Sequence, residues 1–270
     1  MPELPAADAS LQARASANVA EALRTIARHD PRGTIEEADG LTLIATSIPY
    51  PLFNAAFLSR PVTDAAALAE RVRRFYARAG VPGLLLAATD EAVARAAPLI
   101  QAAGMTPGDP IPGMLLAPFP TPPPLPADLE IKAVEDPAML RVYNDTLATG
   151  YGLPRDWLAA FDRPETLAIQ DMAFYLGFLA GEAVATALRF TSHRIAGIYN
   201  VATLPAYRRQ GIGAALTWRA ALDGRAEGCL ASALQSSEQG FPVYQRMGYR
   251  HVVDYRTWII QEADHALSQA

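Results

Sequence analysis

The sequence has 270 residues, of which 51% are hydrophobic and 19% are charged, and its formal net charge at pH 7 is -5. This composition excludes a largely disordered chain and fits one or two globular domains of ordinary size. The 28 acidic residues outnumber the 23 lysines and arginines, which argues against a nucleic acid partner because such a partner is bound by a basic surface.

The cysteine content and the apolar runs indicate the compartment. Cys229 is the single cysteine, so the chain can form neither an intramolecular disulfide nor a thiolate zinc cluster. No apolar run reaches 18 residues, and the first residues lack the pattern of a secretory signal. We therefore expect a cytoplasmic protein with no membrane partner and no bound metal.

A run of prolines predicts two domains. Residues 118–126, PFPTPPPLP, cannot continue a helix or a central strand, because proline fixes φ and lacks a backbone donor. We expect an N-terminal α/β domain at 1–117, a stiff linker at 118–126 and a second domain at 127–270.

Helices and strands alternate before the linker. Asp64 is the expected N-cap of one helix, and Gly104 ends another. The helices are predicted at Ala7–Arg28, Asp64–Ala79 and Asp90–Ala103, and the strands at Leu41–Ser47, Leu84–Ala88 and Gly113–Ala117.

After the linker the predicted order is β-α-α-β-β-β-α-β-α-β, and its three consecutive strands suggest an antiparallel meander in a mixed sheet, an α/β (α+β) fold. The strands are predicted at Leu129–Val134, Phe174–Leu179, Ala183–Phe190, Gly197–Thr203, Cys229–Leu234 and His251–Ile260, and the helices at Pro137–Leu147, Arg155–Phe161, Gly211–Glu227 and Phe241–Met247. Each half places a glycine-ended helix, a strand and a second glycine-ended helix before its last strand. An internal duplication and ordinary α/β alternation both explain this pattern.

The segment Tyr199–Leu216, YNVATLPAYRRQGIGAAL, carries the chemistry. A strand leads through an arginine-rich turn directly into a helix, whose unpaired N–H groups and positive dipole end favour phosphate. Gly211 and Gly213 let a phosphate approach those amides, while Arg208 and Arg209 add charged donors. The sequence therefore predicts a phosphate cradle.

Two other phosphate motifs fit poorly. A Walker loop needs Lys-Ser/Thr where alanine follows Gly213. A dinucleotide fingerprint needs a small residue at Leu216 and an acidic residue at Gln235.

Residues 208–213, Arg-Arg-Gln-Gly-Ile-Gly, resemble the Q/R-x-x-G-x-G/A signature by which Gcn5-related N-acetyltransferases (GNAT) bind the pyrophosphate of acetyl-coenzyme A. Residues 243–249, VYQRMGY, are similar to the family's Leu-Tyr-x-x-x-Gly-Phe motif. The resemblance covers roughly Leu129–Ile260 and implies a GNAT-like acyl-CoA N-acyltransferase fold in the C-terminal half. The N-terminal half, which lacks the signature, is expected to be a degenerate copy.

The resemblance also implies the site residues. In the family the fourth strand bulges and diverges from the fifth, the main chain near Val201 polarises the thioester, and Tyr244 protonates the departing sulfur. A phenol of pKa about 10 stays protonated at neutral pH and suits that role. The implied cofactor-binding residues are Val201, Thr203, Arg208, Arg209, Gln210, Gly211, Ile212, Gly213, Ala214 and Ser237.

The base and the acceptor stay open. An attacking alkylamine must lose its proton, and the residues near the expected cleft single out no base; they are Tyr199, Asn200, Glu182 and His193. Four aromatic side chains either line an acceptor pocket or pack in the core: Tyr143, Tyr151, Trp157 and Phe161.

We predict an N-acetyltransferase that uses acetyl-CoA as the acyl donor. A primary amine, of a small molecule or a peptide, attacks directly in a ternary complex, because Cys229 begins a buried strand and is poorly placed to carry an acyl group. The alternatives are a non-catalytic acyl-CoA-binding sensor or regulatory protein, and an interaction protein with a relic fold.

Overall fold

The computed structural model describes residues 6–58, 64–88 and 91–260. Asp90, the predicted start of one helix, and the outermost residues of the two predicted domains lie outside these ranges. The helices are α1 Ala6–His29, α2 Ala65–Ala79, α3 Glu91–Ala102, α4 Pro137–Tyr151, α5 Pro164–Leu167, α6 Ile212–Ala226 and α7 Phe241–Arg246. The strands are β1 Thr34–Ala38, β2 Leu41–Ala45, β3 Ala55–Leu58, β4 Gly83–Ala88, β5 Thr106–Leu116, β6 Glu130–Ala133, β7 Met172–Leu179, β8 Glu182–Ser192, β9 Ile195–Thr203, β10 Ala231–Gln235 and β11 Arg250–Ile260. Short 3-10 turns lie at Pro51–Phe53, Arg155–Phe161 and Pro205–Tyr207.

The order of strands and of the longer helices predicted after the linker is confirmed, and residues 118–126 contain neither helix nor strand. The predicted helix Arg155–Phe161 is a 3-10 turn, and the prediction missed the short helix α5. Before the linker, the prediction missed β1 and β3 and made β5 too short. β1 is a short polar strand with no fully buried residue, so its sequence lacks the apolar alternation that identifies a strand.

The chain forms two compact units. The C-terminal unit contains the described residues up to Ala22 together with Pro112–Val253, and the N-terminal unit contains Leu23–Ile111 and the described residues from Asp254 onward. The predicted division placed the domain boundaries at residues 117 and 127. In the structure the start of α1 belongs to the C-terminal unit, and the end of β11 belongs to the N-terminal unit. An apolar face shows that an element is buried but does not show which core it joins.

The sheet of the C-terminal unit begins with the predicted meander, in which β6, β7, β8 and β9 pair antiparallel in that order. β10 then pairs parallel with β9, and the segment Gly113–Leu116 of β5 pairs antiparallel with β10. α4 and α6 both pack against β8 and β9. Gly224 allows a close approach of α6, since a Cβ there would lie 2.4 Å from the Ala196 Cβ.

The N-terminal unit repeats this strand order from β7 onward, and its described residues contain no counterpart of β6. β1, β2 and β3 pair antiparallel, β4 pairs parallel with β3, and residues 255–260 of β11 pair antiparallel with β4. Each unit therefore takes its closing strand from the other half of the sequence. The shared order supports the interpretation of the N-terminal half as a degenerate copy.

The core of the N-terminal unit forms around α2. This helix begins after Asp64, whose side chain accepts a hydrogen bond from the Ala67 N–H at 2.9 Å, as predicted. Its buried side chains include Val72, Phe75 and Tyr76, which pack with apolar residues of the strands. None of the helices in the described ranges is long and apolar enough to cross a membrane.

Candidate active site

A β-bulge interrupts the pairing of β8 with β9. Thr186 lies opposite Ala202, but Leu188 lies opposite Tyr199, so two residues of β9 face the single residue between them. The extra residue is at Asn200, whose φ is 52° and whose carbonyl accepts a 2.8 Å hydrogen bond from the Thr186 hydroxyl. The bulge implied by the family resemblance is therefore present at the expected strand.

The bulge changes which residues of β9 face α6. Before it, Ala196 faces α6, where it meets Gly224. Beyond it, Val201 and Thr203 face α6, because a Cβ on Gly213 would lie 3.6 Å from the Val201 side chain and 3.4 Å from the Thr203 hydroxyl. Side chains alternate along a strand, so the inserted residue shifts the alternation by one position.

β9 and β10 diverge next to the bulge. Among the residues described, their parallel pairing runs from Ile195 opposite Ala231 to Gly197 opposite Ala233. Beyond this point β9 remains paired with β8 as far as Thr203, and β10 with β5 as far as Gln235. The facing edges of the two strands therefore open into a cleft beside Val201, which can receive an amide-bearing chain such as pantetheine.

The predicted phosphate cradle lies at the wide end of this cleft. Arg209 and Gly211 adopt left-handed conformations, with φ of 63° and 78°, and turn the chain into α6. In the described part of the chain no side chain caps the N-terminus of α6 at Gly211, so the first N–H groups of this helix remain available to an anion. The loop and the end of β9 thus bring together Val201, Thr203 and the segment 211–214.

The two arginines of the cradle differ in their surroundings. Arg208, Arg209 and Gln210 are all exposed to solvent. The Arg208 guanidinium also donates to two main-chain carbonyls, those of Thr203 at 3.1 Å and Gly150 at 2.9 Å. The Arg208 side chain is therefore already engaged by the protein.

Tyr244 lies on α7, next to the first turns of α6. Burial raises the pKa of Tyr244, while a hydrogen bond with Thr217 opposes this shift. The Tyr244 ring packs edge-on against Tyr249, with 5.8 Å between the centroids. A Cβ on Gly240 would lie 2.9 Å from the ring, so glycine leaves the space that the ring occupies. Tyr244 is therefore a fixed and protonated phenol.

Thr217 is a residue of the site that the sequence pattern did not predict. This residue is completely buried, and its hydroxyl donates a 2.9 Å hydrogen bond to the Gly213 carbonyl in the cradle. Through its contact with Tyr244 it links the cradle to the proposed acid. Its position one helical turn after Gly213 is the sequence signal that could have identified it.

Ser237 has a local structural role in the absence of ligand. Its hydroxyl accepts a 3.1 Å hydrogen bond from the Gly240 N–H, and its carbonyl accepts one from the Phe241 N–H at 3.0 Å. These bonds shape the turn that begins α7. The side chain is exposed, and its hydroxyl keeps an O–H donor and a second lone pair for a ligand.

The expected acceptor region is made by α4 and the turn Arg155–Phe161. Arg155 joins these two elements through ion pairs with Asp145 and Asp162. Tyr143 is buried and packs edge-on against Phe174, so it belongs to the core. Three of the predicted aromatic residues are at least partly exposed and can contact an acceptor; they are Tyr151, Trp157 and Phe161.

Two candidates for the base are poorly placed, because one lies away from the cleft and the other is already hydrogen-bonded. His193 lies in the turn that precedes β9, about 25 Å from Thr203 at the strand's normal rise, and is exposed. Glu182 accepts a 2.6 Å hydrogen bond from the Tyr207 hydroxyl and raises the pKa of that phenol. Asn200, at the bulge, lies beside the cleft, while the neighbouring Tyr199 hydroxyl already donates a hydrogen bond to the Asn18 side chain at 2.6 Å. The structure therefore singles out no base.

Cys229 lies far from the cradle. It follows the C-terminal end of α6, a helix of 15 residues, and therefore lies about 22 Å along the helix from Gly211. The thiol is buried, and this burial raises its pKa. Both features disfavour an acyl-cysteine intermediate.

The matching position in the N-terminal unit is already capped. α2 follows β3 as α6 follows β9, but the N-terminus of α2 carries the Asp64 carboxylate on its Ala67 N–H. A negative side chain at this position repels phosphate and occupies a donor that phosphate would use.

Comparison with known proteins agrees with this geometry. Residues 170–251 match the family model described as an acetyltransferase (GNAT) domain. No curated protein sequence matches the chain.

Solved structures of low sequence identity share the fold. A GCN5-related N-acetyltransferase from Kribbella flavida has a TM-score of 0.66 at 19% identity, with 89% of this chain and 93% of that chain covered. A GCN5-related N-acetyltransferase from Sphaerobacter thermophilus has a TM-score of 0.58 at 14% identity, with 83% and 82% covered. A tandem GNAT protein from the clavulanic acid biosynthesis pathway has a TM-score of 0.57 at 13% identity, with 92% and 97% covered.

Proposed function

We propose that this chain, a member of the GNAT family whose acetyltransferase domain spans residues 170–251, is an acetyl-CoA-dependent N-acetyltransferase that acts on a primary amine. The observation that carries the proposal is the uncapped N-terminus of α6, which opens beside the divergence of β9 from β10 and within one helical turn of the Thr217–Tyr244 contact. Phosphate binding, thioester positioning and a proton source are thereby combined in one cleft.

The main chain performs most of the binding in this proposal. The amides of residues 209–214 receive the pyrophosphate, and Arg209 adds charge. Val201 and Thr203 present main-chain groups to the pantetheine arm, and the main chain at the bulge polarises the acyl carbonyl. Bound acetyl-CoA supplies the activated acyl group.

Tyr244 supplies the proton that the departing sulfur needs. Its raised pKa keeps the phenol protonated at neutral pH, so it can donate a hydrogen bond and then a proton to the sulfur as the C–S bond breaks. Because this pKa lies above the usual thiol value of about 8.5, the transfer is completed only when the phenoxide recovers a proton released by the nitrogen of the attacking amine. The amine attacks the carbonyl directly, since Cys229 is remote and buried. Under this proposal the acceptor is a small-molecule amine or a peptide amine. The proposed compartment of the protein is the cytoplasm.

Titration calorimetry with acetyl-CoA tests the cradle. We expect the wild type to bind and Gly211→Trp to lose binding, because the indole fills the entrance to the α6 N-terminus. Gly211→Asn is the matched control, since asparagine tolerates a positive φ without comparable bulk. It should bind within about threefold of the wild type, an affinity change of less than about 1 kcal/mol.

The second stage measures thiol release from acetyl-CoA with a panel of small primary amines and peptide N-termini. Release that depends on one class of amine supports the transferase and identifies its acceptor class. Tight binding without release for any amine favours the acyl-CoA sensor instead. Folded wild-type protein that does not bind acetyl-CoA contradicts the proposal.

A further inference from the structure

Arg208 belongs by sequence to the phosphate motif, but its side chain caps a different helix. Its Nη2 donates to the Gly150 carbonyl at 2.9 Å, in the last turn of α4. The last four carbonyls of a helix have no partner within the helix, and a cation at this end also interacts favourably with the helix dipole. Arg208 is thus a C-terminal cap of α4.

The same guanidinium is fixed to the end of β9. Its Nε donates to the Thr203 carbonyl at 3.1 Å, so one planar group joins the strand that borders the cleft to the helix of the acceptor region. Arginine suits this task because its donors have a fixed relative geometry.

Steric contact holds the two elements together at the same place. Gly150 is buried, and a Cβ there would lie 2.8 Å from the Ala202 Cβ and 3.6 Å from the Thr203 N. α4 therefore contacts β9 at Ala202. The next residue of the strand, Thr203, has the carbonyl that accepts the hydrogen bond from the Arg208 Nε. Two other carbonyls of this turn are used by the chain that follows, since the Leu153 N–H donates to the Ala148 carbonyl at 2.8 Å and the Gly152 N–H to the Thr149 carbonyl at 3.2 Å.

We propose that Arg208 is a positioning residue that couples the cofactor loop to α4, so that ordering of the loop by coenzyme A also orders the acceptor region. This inference rests on the proposed function. Main-chain groups of residues 209–214 bind the pyrophosphate, while the Arg208 side chain transmits the resulting order through Gly150.

The test uses coenzyme A and needs no knowledge of the acceptor. Amide hydrogen exchange in peptides covering residues 137–151 is measured with and without saturating coenzyme A, and affinity is measured by calorimetry. In the wild type we expect coenzyme A to slow exchange in the last turn of α4 by at least about fivefold. Arg208→Met should exchange faster there without ligand, gain no protection from coenzyme A, and bind it within about threefold of the wild type.

Arg209→Met is the matched control on the neighbouring residue. It should lose about tenfold or more in affinity for coenzyme A, yet show the wild-type protection of α4 at saturation. Arg208→Lys keeps the charge but cannot span two carbonyls, so it should also lack the coupling. This variant decides the question if Arg208→Met does not fold.

Two results overturn the inference. The first is that Arg208→Met loses as much affinity as Arg209→Met while α4 exchanges as in the wild type, which assigns the side chain to phosphate. The second is that coenzyme A binds the wild type without slowing exchange in α4. Failure of the proposed cofactor site is a different result, because coenzyme A would then bind neither the wild type nor any variant. Failure of the transferase activity alone leaves coenzyme A binding, and the coupling to α4 is still measured.

Discussion

The Tyr199 hydroxyl donates a 2.6 Å hydrogen bond to the side-chain oxygen of Asn18, joining two residues that are 181 positions apart. Asn18 is completely buried, and its amide also donates to the Phe190 carbonyl at 3.1 Å and the Ser192 hydroxyl at 2.9 Å. One side chain of α1 thereby fixes the turn between β8 and β9 and the strand that leads into the bulge.

We expect Asn18→Ala to destabilise the C-terminal unit by about 2–4 kcal/mol, because it removes the hydrogen bonds that Asn18 makes with the half-buried Tyr199 hydroxyl and with the carbonyls around the turn. Urea denaturation measures this change. Arg14→Ala, which removes an exposed contact on the same helix, is the control and should cost less than about 0.5 kcal/mol. Equal stability of the two variants would contradict the anchoring role.

Tyr244→Phe should lower kcat about 100-fold, because it removes the proton donor for the departing sulfur. Its affinity for acetyl-CoA should stay within about twofold of the wild type, since the ring and its packing against Tyr249 are kept. Steady-state kinetics and calorimetry measure the two effects separately. Unchanged turnover would remove Tyr244 from the mechanism.

The pH profile of kcat provides an independent check. Burial raises the pKa of Tyr244 above its ordinary value of about 10, so the acid remains protonated throughout the range from pH 7 to about 10. The rate should therefore rise with pH as the amine loses its proton, with no decline below about pH 10. A declining limb near pH 8 would indicate a different acid.

Each chain should bind a single acetyl-CoA. The α6 N-terminus is uncapped, whereas the α2 N-terminus carries the Asp64 carboxylate. Calorimetry should give a stoichiometry of about one per chain, and Gly211→Trp should abolish all binding. A second equivalent that survives in Gly211→Trp would show that the N-terminal unit also binds the cofactor.

Stability should decrease at alkaline pH. Burial raises the pKa of Tyr76 in the folded state. Above about pH 10 the unfolded state therefore loses this proton while the folded state keeps it. The free energy of unfolding then falls by up to about 1.4 kcal/mol per pH unit. Below the unfolded pKa this contribution is fully present. The decline continues as the pH rises toward the folded pKa.

Tyr76→Phe isolates this contribution. It should cost about 1 kcal/mol at pH 7, because it removes the 3.2 Å hydrogen bond to the Ile44 carbonyl, yet lose stability less steeply than the wild type above pH 10. Urea denaturation at pH 7 and pH 10.5 compares the two proteins. Parallel losses would show that Tyr76 does not titrate on unfolding.

Several local features predicted from the sequence are present in the structure. The motif at 208–213 lies where β9 ends and a left-handed turn leads into α6, and Tyr244 lies on the short helix α7. Phosphate binding by this turn stays a prediction. Thr217 was not predicted, because its spacing of four residues from Gly213 does not by itself show that it contacts Tyr244 on α7.

The sequence by itself determined the order of elements after the linker, the cradle and the identity of the candidate acid, because turn chemistry, helix termini and apolar periodicity are local properties of the chain. Only the tertiary structure decided that Arg208 binds Gly150, that Asn18 supports β9 and that each unit is closed by a strand from the other half. These pairings join residues far apart in the chain. They follow from which buried donors and apolar faces satisfy one another after folding, and no local pattern encodes that choice.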